Sequence, residues 1–309
     1  MPNRERRKPL RSLCLLALCL ALPGFAAEGE KRPMTVDDVL AMVDVDDPLI
    51  APDGSWVLYR KRVLDWEDNE YDTEYWRVAA DGSDAWRFIG EDGGSDFAFS
   101  PDGKYLSFRR SVGEEDEKAS QLFLMRLAGG EAVQLTEHET GLSSYQWAED
   151  GSAVFFEADD ARPEEVKEEV EKGADAIFVD EGPNGQTADR WENLWVFDLE
   201  TEESRRITDE DFMLRSWHVD AAGERIALTA RYRNRRNDSD LYEVYVADVA
   251  TGELRRLTDN RAPEGQVAWA PDGSAILVTA ADDEAWMNRN TKLWLLDPGT
   301  GEQELLSGA

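Results

Sequence analysis

The sequence has very little cysteine or histidine. Its two cysteines, Cys14 and Cys19, both fall within the first 20 residues, and its two histidines are His138 and His218. Removal of an N-terminal leader would leave no thiol, no disulfide and no cysteine metal site. Two histidines are too few for a multi-histidine metal centre in one chain. The sequence therefore predicts no metal and no other cofactor.

Long apolar runs are also scarce. The run "LCLLALCLAL" at residues 13–22 follows several arginines and precedes small residues near position 26. Ten residues are too few to span a membrane, and this order of basic, apolar and small residues is typical of a secretory signal peptide. We expect a signal peptide over residues 1–26, a secreted or periplasmic protein, and no membrane attachment after cleavage.

Positive charge is in short supply. The chain has 34 Lys and Arg against 66 Asp and Glu, which gives a formal net charge of −32. A surface of this charge repels nucleic acids and anionic membranes, so neither is an expected partner. The 11 tryptophans exclude a disordered chain in spite of the charge.

What the sequence has in abundance is a repeated turn. "FSPDGKYLSF" at residues 99–108 returns as "WAPDGSAILV" at residues 269–278. Residues four before, three after and five after each turn glycine are apolar, which is strand periodicity on both sides of a tight turn. The pattern predicts hairpins, with glycine supplying the positive φ of the turn. The turn glycines are Gly54, Gly103, Gly151, Gly223 and Gly273.

The repeat has a plausible metal-binding alternative, because aspartate is a good calcium ligand. A calcium loop requires several oxygen ligands at alternating positions, and "SPDGK" offers one. We therefore interpret these segments as structural turns.

Two further strands follow each hairpin, so that each unit of about fifty residues has four antiparallel strands. This predicts an all-β fold, a β-propeller of about five four-stranded blades after the signal peptide and a short helix. The propeller is expected over residues 34–309, and the third blade holds a helical insertion at residues 159–182. The predicted blades cover residues 45–90, 95–136, 142–208, 213–258 and 265–307.

Three segments resemble secreted prolyl oligopeptidase-type serine peptidases. These are "MTVDDVLAMVDVDDPLIAPDGSWVLYRKR" (34–62), "GSDFAFSPDGKYLSFRR" (94–110) and the "NLWVFDLETEESRRIT" region (193–208). The last resembles the dipeptidyl aminopeptidase and acylaminoacyl-peptidase branch. The resemblance covers about residues 34–307. It implies an N-terminal propeller, usually of seven blades, followed by a C-terminal α/β-hydrolase domain with a Ser-His-Asp triad.

No nucleophile elbow, Gly-x-Ser-x-Gly, occurs in the sequence, because "GLSSY" at residues 141–145 has Tyr145 in place of the second glycine. No catalytic residue is predicted. The sequence favours the non-catalytic, substrate-gating propeller of a serine exopeptidase, whose peptide substrate would meet a hydrolase domain missing from this chain. The alternative is a stand-alone, TolB-like periplasmic propeller that binds proteins. A carbohydrate-active propeller is a third and weaker alternative.

Two charged clusters are candidates for substrate binding. Glu164 and Glu165 begin the insertion, and a carboxylate pair attracts the ammonium group of a peptide amino terminus. Arg231 and Arg233 lie in "ARYRNRRNDSD" (230–240) and could bind a carboxylate through their guanidinium forks. Both clusters are also compatible with ordinary solvated surface, a charged helix in one case and a neutralised loop in the other.

Overall fold

The computed structural model describes residues 32–90, 93–114, 118–172, 191–234, 238, 240–259, 262–281 and 291–306. The predicted signal peptide, both cysteines and residues 173–182 of the predicted insertion lie outside the described residues. The chain forms two compact units, Met1–Met42 and Val43–Ala309.

The first unit contains the short helix α1, Val36–Leu40. Thr35 caps it, because the Thr35 hydroxyl accepts a hydrogen bond from the Asp38 amide at 3.2 Å while the Asp38 carboxylate accepts from the Thr35 amide at 2.8 Å. This reciprocal pairing satisfies two amides that a helix start leaves without partners. An ion pair with Arg32 lowers the pKa of Asp38 well below its usual range.

The second unit consists of five four-stranded antiparallel sheets, here called blades 1 to 5 in chain order. Blade 1 has β1 (Asp44–Ile50), β2 (Trp56–Asp65), β3 (Glu70–Ala79) and β4 (Trp86–Arg87). Blade 2 has β5 (Ser95–Phe99), β6 (Tyr105–Val112), β7 (Ala119–Arg126) and β8 (Val133–Gln134). Blade 3 has β9 (Ser144–Trp147), β10 (Ala153–Asp159), β11 (Glu192–Asp198) and β12 (Glu203–Arg206), with helix α2 (Glu164–Glu171) between β10 and β11.

Blade 4 has β13 (Met213–Val219), β14 (Arg225–Arg231), β15 (Glu243–Asp248) and β16 (Leu254–Arg256). Blade 5 has β17 (Glu264–Trp269), β18 (Ile276–Ala280), β19 (Lys292–Leu296) and β20 (Gln303–Leu305). In every blade the strands pair in sequence order. The first-to-second and third-to-fourth turns therefore share one edge of the unit, the turn rim. The second-to-third loops and the connections between blades share the other edge, the loop rim.

The Asp-Gly turns have the geometry that their sequence predicts. Gly103 has φ +67°, and its amide donates to the Ser100 carbonyl at 2.9 Å. The Asp102 carboxylate accepts a hydrogen bond from the Lys104 amide at 3.0 Å, which fixes the turn from the side chain. The Lys104 ammonium and the Ser100 hydroxyl also bond this carboxylate and lower the pKa of Asp102 to about 2.

The blades stack in chain order, and each of blades 2 to 4 buries one face against the blade before it and the other against the blade after it. In blade 4, Ile226 and Leu228 pack into a cluster with residues of blade 3. Between them in sequence, Ala227 faces the opposite way and joins a cluster with blade 5. Consecutive stacking of four-stranded sheets is propeller architecture, and the five blades confirm the predicted all-β fold.

A proline–glycine contact joins consecutive blades at the turn rim. A Cβ atom added to Gly103 would lie 3.3 Å from Cβ of Pro52 in the preceding blade, and one added to Gly151 would lie 3.7 Å from Cδ of Pro101. Blade 3 has Glu149 where these turns have proline. A Cβ added to Gly223 of blade 4 would accordingly meet only the Phe155 ring, at 3.9 Å.

We expect the substitution Glu149→Pro to stabilise the protein. The blade 3 turn closes with the same hydrogen bond as the proline-containing turns, from the Gly151 amide to the Ala148 carbonyl at 2.9 Å. A proline that fits its backbone raises the free energy of unfolding by about 0.4–1 kcal/mol, because it restricts the unfolded chain. Urea unfolding followed by circular dichroism measures the change. Glu149→Ala is the matched control and should give no comparable gain. A lower midpoint for Glu149→Pro than for wild type would contradict the expected fit.

Candidate functional site

Three carboxylates lie together on the loop rim of blade 3, on the sheet face that meets blade 4. Glu157 and Asp159 are two residues apart on β10, so both side chains leave the same face. Glu192 begins β11 and is the direct cross-strand partner of Asp159. Phe155, on the same face of β10, packs in the cluster shared with blade 4. The three carboxylates, with Trp217 and Arg231 of blade 4, are called the acidic rim site below.

Blade 4 supplies the hydrogen bonds that hold two of these carboxylates. The Trp217 indole Nε1 donates to Glu157 Oε2 at 2.8 Å and to Ser144 Oγ at 2.9 Å. Ser144 Oγ in turn donates to Glu157 Oε2 at 2.9 Å. The Leu214 amide donates to Glu192 Oε2 at 2.6 Å. The Trp217 and Leu214 hydrogen bonds run between blades, so they hold the carboxylates in place and also join the two sheets.

Burial and, after it, the neighbouring charges of Glu157 and Asp159 raise the pKa of Glu192 to about 7, although the Leu214 amide and Arg231 act to lower it. A carboxyl group with this pKa changes protonation near neutral pH. Such groups are more frequent at functional sites than elsewhere, although buried ion-pair networks shift pKa values too.

The structure separates the two predicted arginines. Arg231 ends β14 and is only 7% exposed, with its guanidinium carbon 5.0 Å from the centre of the Tyr242 ring. Arg215 lies against the same ring at 3.9 Å. Arg233, two residues further on, keeps 65% of its side chain exposed and lies 3.9 Å from Asp238. Arg235 and Arg236 lie outside the described residues.

Glu164 and Glu165 occupy the first turn of α2 and are both exposed. Lys167 links this helix to the connection between blades 2 and 3, because its ammonium group is 2.8 Å from Glu139 Oε1 and 3.8 Å from Glu164 Oε2. These exposed ion pairs contribute little to stability. They do orient the start of α2 toward the same rim as the acidic site.

A cleft of about 570 Å³ opens beside α2 on the loop rim. Arg206 lies in it, with Nη2 2.9 Å from Asp160 Oδ2 and its guanidinium carbon 5.7 Å from the centre of the Trp195 ring. Asp159 of the acidic rim site is also among the residues that line the cleft. The remaining titratable residues of the lining are Glu137, His138 and Glu139.

His138 lies against Trp195, with ring centres 4.9 Å apart, and burial lowers its pKa. Its Nδ1 is 3.1 Å from Thr140 Oγ1, which donates its own hydrogen to the Asp159 carbonyl. Nδ1 must therefore be the donor to the threonine. The ring is a neutral structural group rather than a base at that atom.

The other histidine, His218, accepts a hydrogen bond from the Trp269 amide at 3.3 Å through Nδ1. Within the described part of the chain, no three His, Cys, Asp or Glu side chains are placed to hold a metal ion. The cleft is lined by carboxylates, the Trp195 ring and Arg206, which are groups suited to binding a polar ligand.

Sequence reasoning missed Glu157, Glu192 and the cleft. A faint signal was available, because Glu157 interrupts the apolar strand "AVFFEAD" at a position that faces the next blade. Trp217, the partner of Glu157, is 60 residues further along the chain and belongs to the next blade, so spacing alone could not connect the two.

No family model matches the chain. Among curated proteins, the uncharacterised peptidase YuxL of Bacillus subtilis is 26% identical over 252 residues, which are 81% of this chain and 31% of that protein. Dipeptidyl-peptidase 5 of Porphyromonas endodontalis is 26% identical over 168 residues, 50% of this chain and 23% of that protein. The chain is a β-propeller with peptidase relatives. It spans less than a third of the length of either relative.

Solved structures show the same fold. Acylaminoacyl peptidase of Pyrococcus horikoshii aligns with a TM-score of 0.59 at 20% identity, over 86% of this chain and 40% of that one. The β-propeller domain of the trilobed protease of Pyrococcus furiosus aligns with a TM-score of 0.53 at 18% identity, over 85% of this chain and 71% of that one. A TolB from Agrobacterium tumefaciens aligns with a TM-score of 0.51 at 15% identity, over 84% of this chain and 79% of that one. These neighbours confirm the propeller.

None of the helices within the described residues is long and apolar enough to cross a membrane.

We expect Glu192→Gln to flatten the pH dependence of stability. The folded-state pKa of about 7 lies above the ordinary value of 4.5, so the folded protein binds the extra proton. The stabilisation is present below pH 4.5 and is lost as pH rises through 7, with an upper limit of about 3 kcal/mol. Urea unfolding at pH 5 and pH 8 measures it.

In that measurement wild type should be destabilised between the two pH values more than Glu192→Gln. Glu165→Gln, an exposed glutamate on α2, is the matched control and should follow wild type. Identical slopes for wild type and Glu192→Gln would show that this carboxyl does not titrate near neutral pH.

Proposed function

We propose that this chain is the substrate-gating, non-catalytic propeller portion of a secreted serine exopeptidase that acts on short peptides. The observation that carries the proposal is the uneven coverage of the peptidase relatives. The similarity to YuxL takes in 81% of this chain but 31% of the peptidase. The sequence has no Gly-x-Ser-x-Gly elbow, so the chemistry would belong to a hydrolase domain beyond this portion.

The loop rim is the surface proposed to meet the substrate. It holds the cleft, helix α2 and the acidic rim site, and Asp159 belongs to both the cleft lining and the acidic rim site. A ring of blades limits which peptides reach an enclosed active site, and charged groups on the rim then orient the peptide that enters. The negative groups of the cleft favour a substrate that presents an ammonium group.

The predicted binding residues divide into two roles under this proposal. Glu164, Glu165 and Arg233 are exposed and could touch the termini of a peptide. Arg231 is 7% exposed, lies against the Tyr242 ring and lowers the pKa of Glu192 within the acidic rim site. It would therefore act as a positioning residue that tunes Glu192 rather than as a direct ligand.

The first experiment is to read the gene past the codon for Ala309. We expect the frame to continue into a domain with a Gly-x-Ser-x-Gly motif, followed in order by the aspartate and histidine of the triad. A stop codon directly after Ala309 would overturn the gating proposal. Amino-terminal sequencing of the exported protein tests the secreted location, with cleavage expected near residue 26.

We also expect the purified 309-residue chain to cleave no aminoacyl or acyl-peptide p-nitroanilide. Release of nitroaniline followed at 405 nm on substrates with free and with acetylated amino termini, at about 0.1–1 mM in line with ordinary enzyme KM values, provides the assay. The control is the same preparation treated with a fluorophosphonate. Turnover that the fluorophosphonate abolishes would show a serine nucleophile in this chain and contradict the expectation.

A stand-alone, TolB-like propeller that binds proteins is the second candidate. Its support is the Agrobacterium tumefaciens TolB, of which this chain covers 79%, compared with 31% of YuxL and 40% of the Pyrococcus horikoshii acylaminoacyl peptidase. The two candidates predict different gene sequences after the codon for Ala309. A stop codon after Ala309, together with a soluble protein that unfolds cooperatively, would favour this second candidate.

A further inference from the structure

A pocket of about 350 Å³ lies on the turn rim between blades 3 and 4, at the opposite edge from the acidic rim site. Its floor is apolar and consists of Phe155, Val196 and Val249. Its walls are formed by small residues of the two turns and of β10, namely Ala148, Ala153, Ala221, Ala222 and Gly223. A volume of this size is at the lower end of the range for ligand sites.

The pocket exists because this interface lacks the side chains that fill the equivalent space elsewhere. Proline does so at the first two interfaces, where Pro52 meets Gly103 and Pro101 meets Gly151. At the fourth interface Arg225 does so: its Nη2 would lie 2.8 Å from a Cβ on Gly273 and donates to the Gly273 carbonyl at 3.2 Å.

At the third interface neither a proline nor a large side chain fills this space. Glu149 stands at the proline position of the turn, and Ala153 stands two residues after the turn glycine, where blade 4 has Arg225 and blade 2 has Tyr105. Ala153 is 8% exposed, so it belongs to the pocket wall and does not extend into solvent. The third interface therefore has a pocket at the position where a proline ring packs on the next blade at the first two interfaces.

The mouth of the pocket carries negative charge. Asp150 and Asp198 are engaged with their own turns, since their Oδ1 atoms accept from the Ser152 amide at 2.9 Å and the Thr201 amide at 2.8 Å. Glu149 and Glu203 are exposed at the rim. Arg205, the one cation among the lining residues, donates through Nη2 to the Val249 carbonyl at 2.9 Å.

We propose that this pocket is a docking site for a partner polypeptide that inserts a proline ring flanked by basic residues. The ring replaces the missing proline of blade 3 and packs on Gly223 and Phe155, as Pro52 packs on Gly103 within the chain. The flanking ammonium or guanidinium groups meet Glu149 and Glu203. The site is formed entirely by the turn rim, so the proposal does not depend on peptidase function.

The test uses the whole chain and a synthetic probe, acetyl-Lys-Pro-Lys amide. Methyl-labelled Val196 and Val249 report on the pocket floor by their carbon-13 and proton shifts during titration. We expect saturable shifts with this peptide and binding about tenfold weaker for acetyl-Lys-Gly-Lys amide, which lacks the ring. Acetyl-Glu-Pro-Glu amide, with the same ring and opposite charge, should bind more weakly still.

Two variants fill the pocket between blades 3 and 4 with a side chain of the protein itself. Glu149→Pro restores the proline of the other turns, and Ala153→Tyr introduces the residue that blade 2 carries at this position. Each should reduce binding of the lysine peptide at least tenfold while the protein still unfolds cooperatively. Glu304→Gln, an exposed glutamate of blade 5 outside the pocket, is the matched control and should bind as wild type does.

Equal binding of the proline and glycine peptides would overturn the proposal, because the ring would then contribute nothing. Undiminished binding to either folded filling variant would do the same. Peptide hydrolysis assays report on the loop rim, so their outcome is separable from this one.

Discussion

Every blade depends on its neighbours to cover two apolar faces, and this constraint shapes the rest of the molecule. A four-stranded sheet exposes one set of side chains on each face, and the chain makes both sets largely apolar. In blade 4, Ile226 and Leu228 face one neighbour while Val244 faces the other, and all three are 0% exposed. A single blade has no core of its own. Its stability is a property of the interfaces on either side.

Polar groups are placed so that they strengthen these interfaces. The Gln146 amide donates to the Trp217 carbonyl at 2.7 Å, and its oxygen accepts from the Val219 amide at 3.2 Å, so one side chain bonds the backbone of the next blade twice. Trp147 Nε1 donates to Ser107 Oγ of the preceding blade at 2.8 Å. Buried polar groups without partners are costly. Pairing them across blades avoids that cost and sets the relative position of the sheets, which a purely apolar contact would leave loose.

The fold could be predicted from the sequence because its signals are local. A turn glycine with positive φ and apolar residues alternating on either side are visible within ten residues, as at Gly103 and Gly273. The acidic rim site could not be predicted, because it is formed by residues from different blades. Trp217 is a strand residue like any other until the stacking brings it to Glu157. Burial of Arg231 beneath Tyr242 was equally invisible, since an arginine-rich loop segment indicates solvent exposure on composition alone.

The turn-rim pocket could be predicted from the sequence only in part. The departures that create it, Glu149 and Ala153, are visible in the sequence once the repeats are aligned. Their consequence requires the structure, which shows that the proline at this position packs on the next blade rather than only shaping its own turn.

The outermost faces of blades 1 and 5 follow the same side-chain rule as the inner faces. Ile50 of blade 1 corresponds in the repeat to Val219 of blade 4, and Leu293 of blade 5 corresponds to Val244. Val219 is 6% exposed and Val244 is 0% exposed, whereas Ile50 is 65% and Leu293 40% exposed. A face adapted to water would carry polar residues at these positions, as terminal repeats of stacked proteins do. These two faces instead retain the chemistry of an inter-blade contact. The apolar side chains that form the inter-blade contacts thus occur in every blade, including the two faces that no described blade covers.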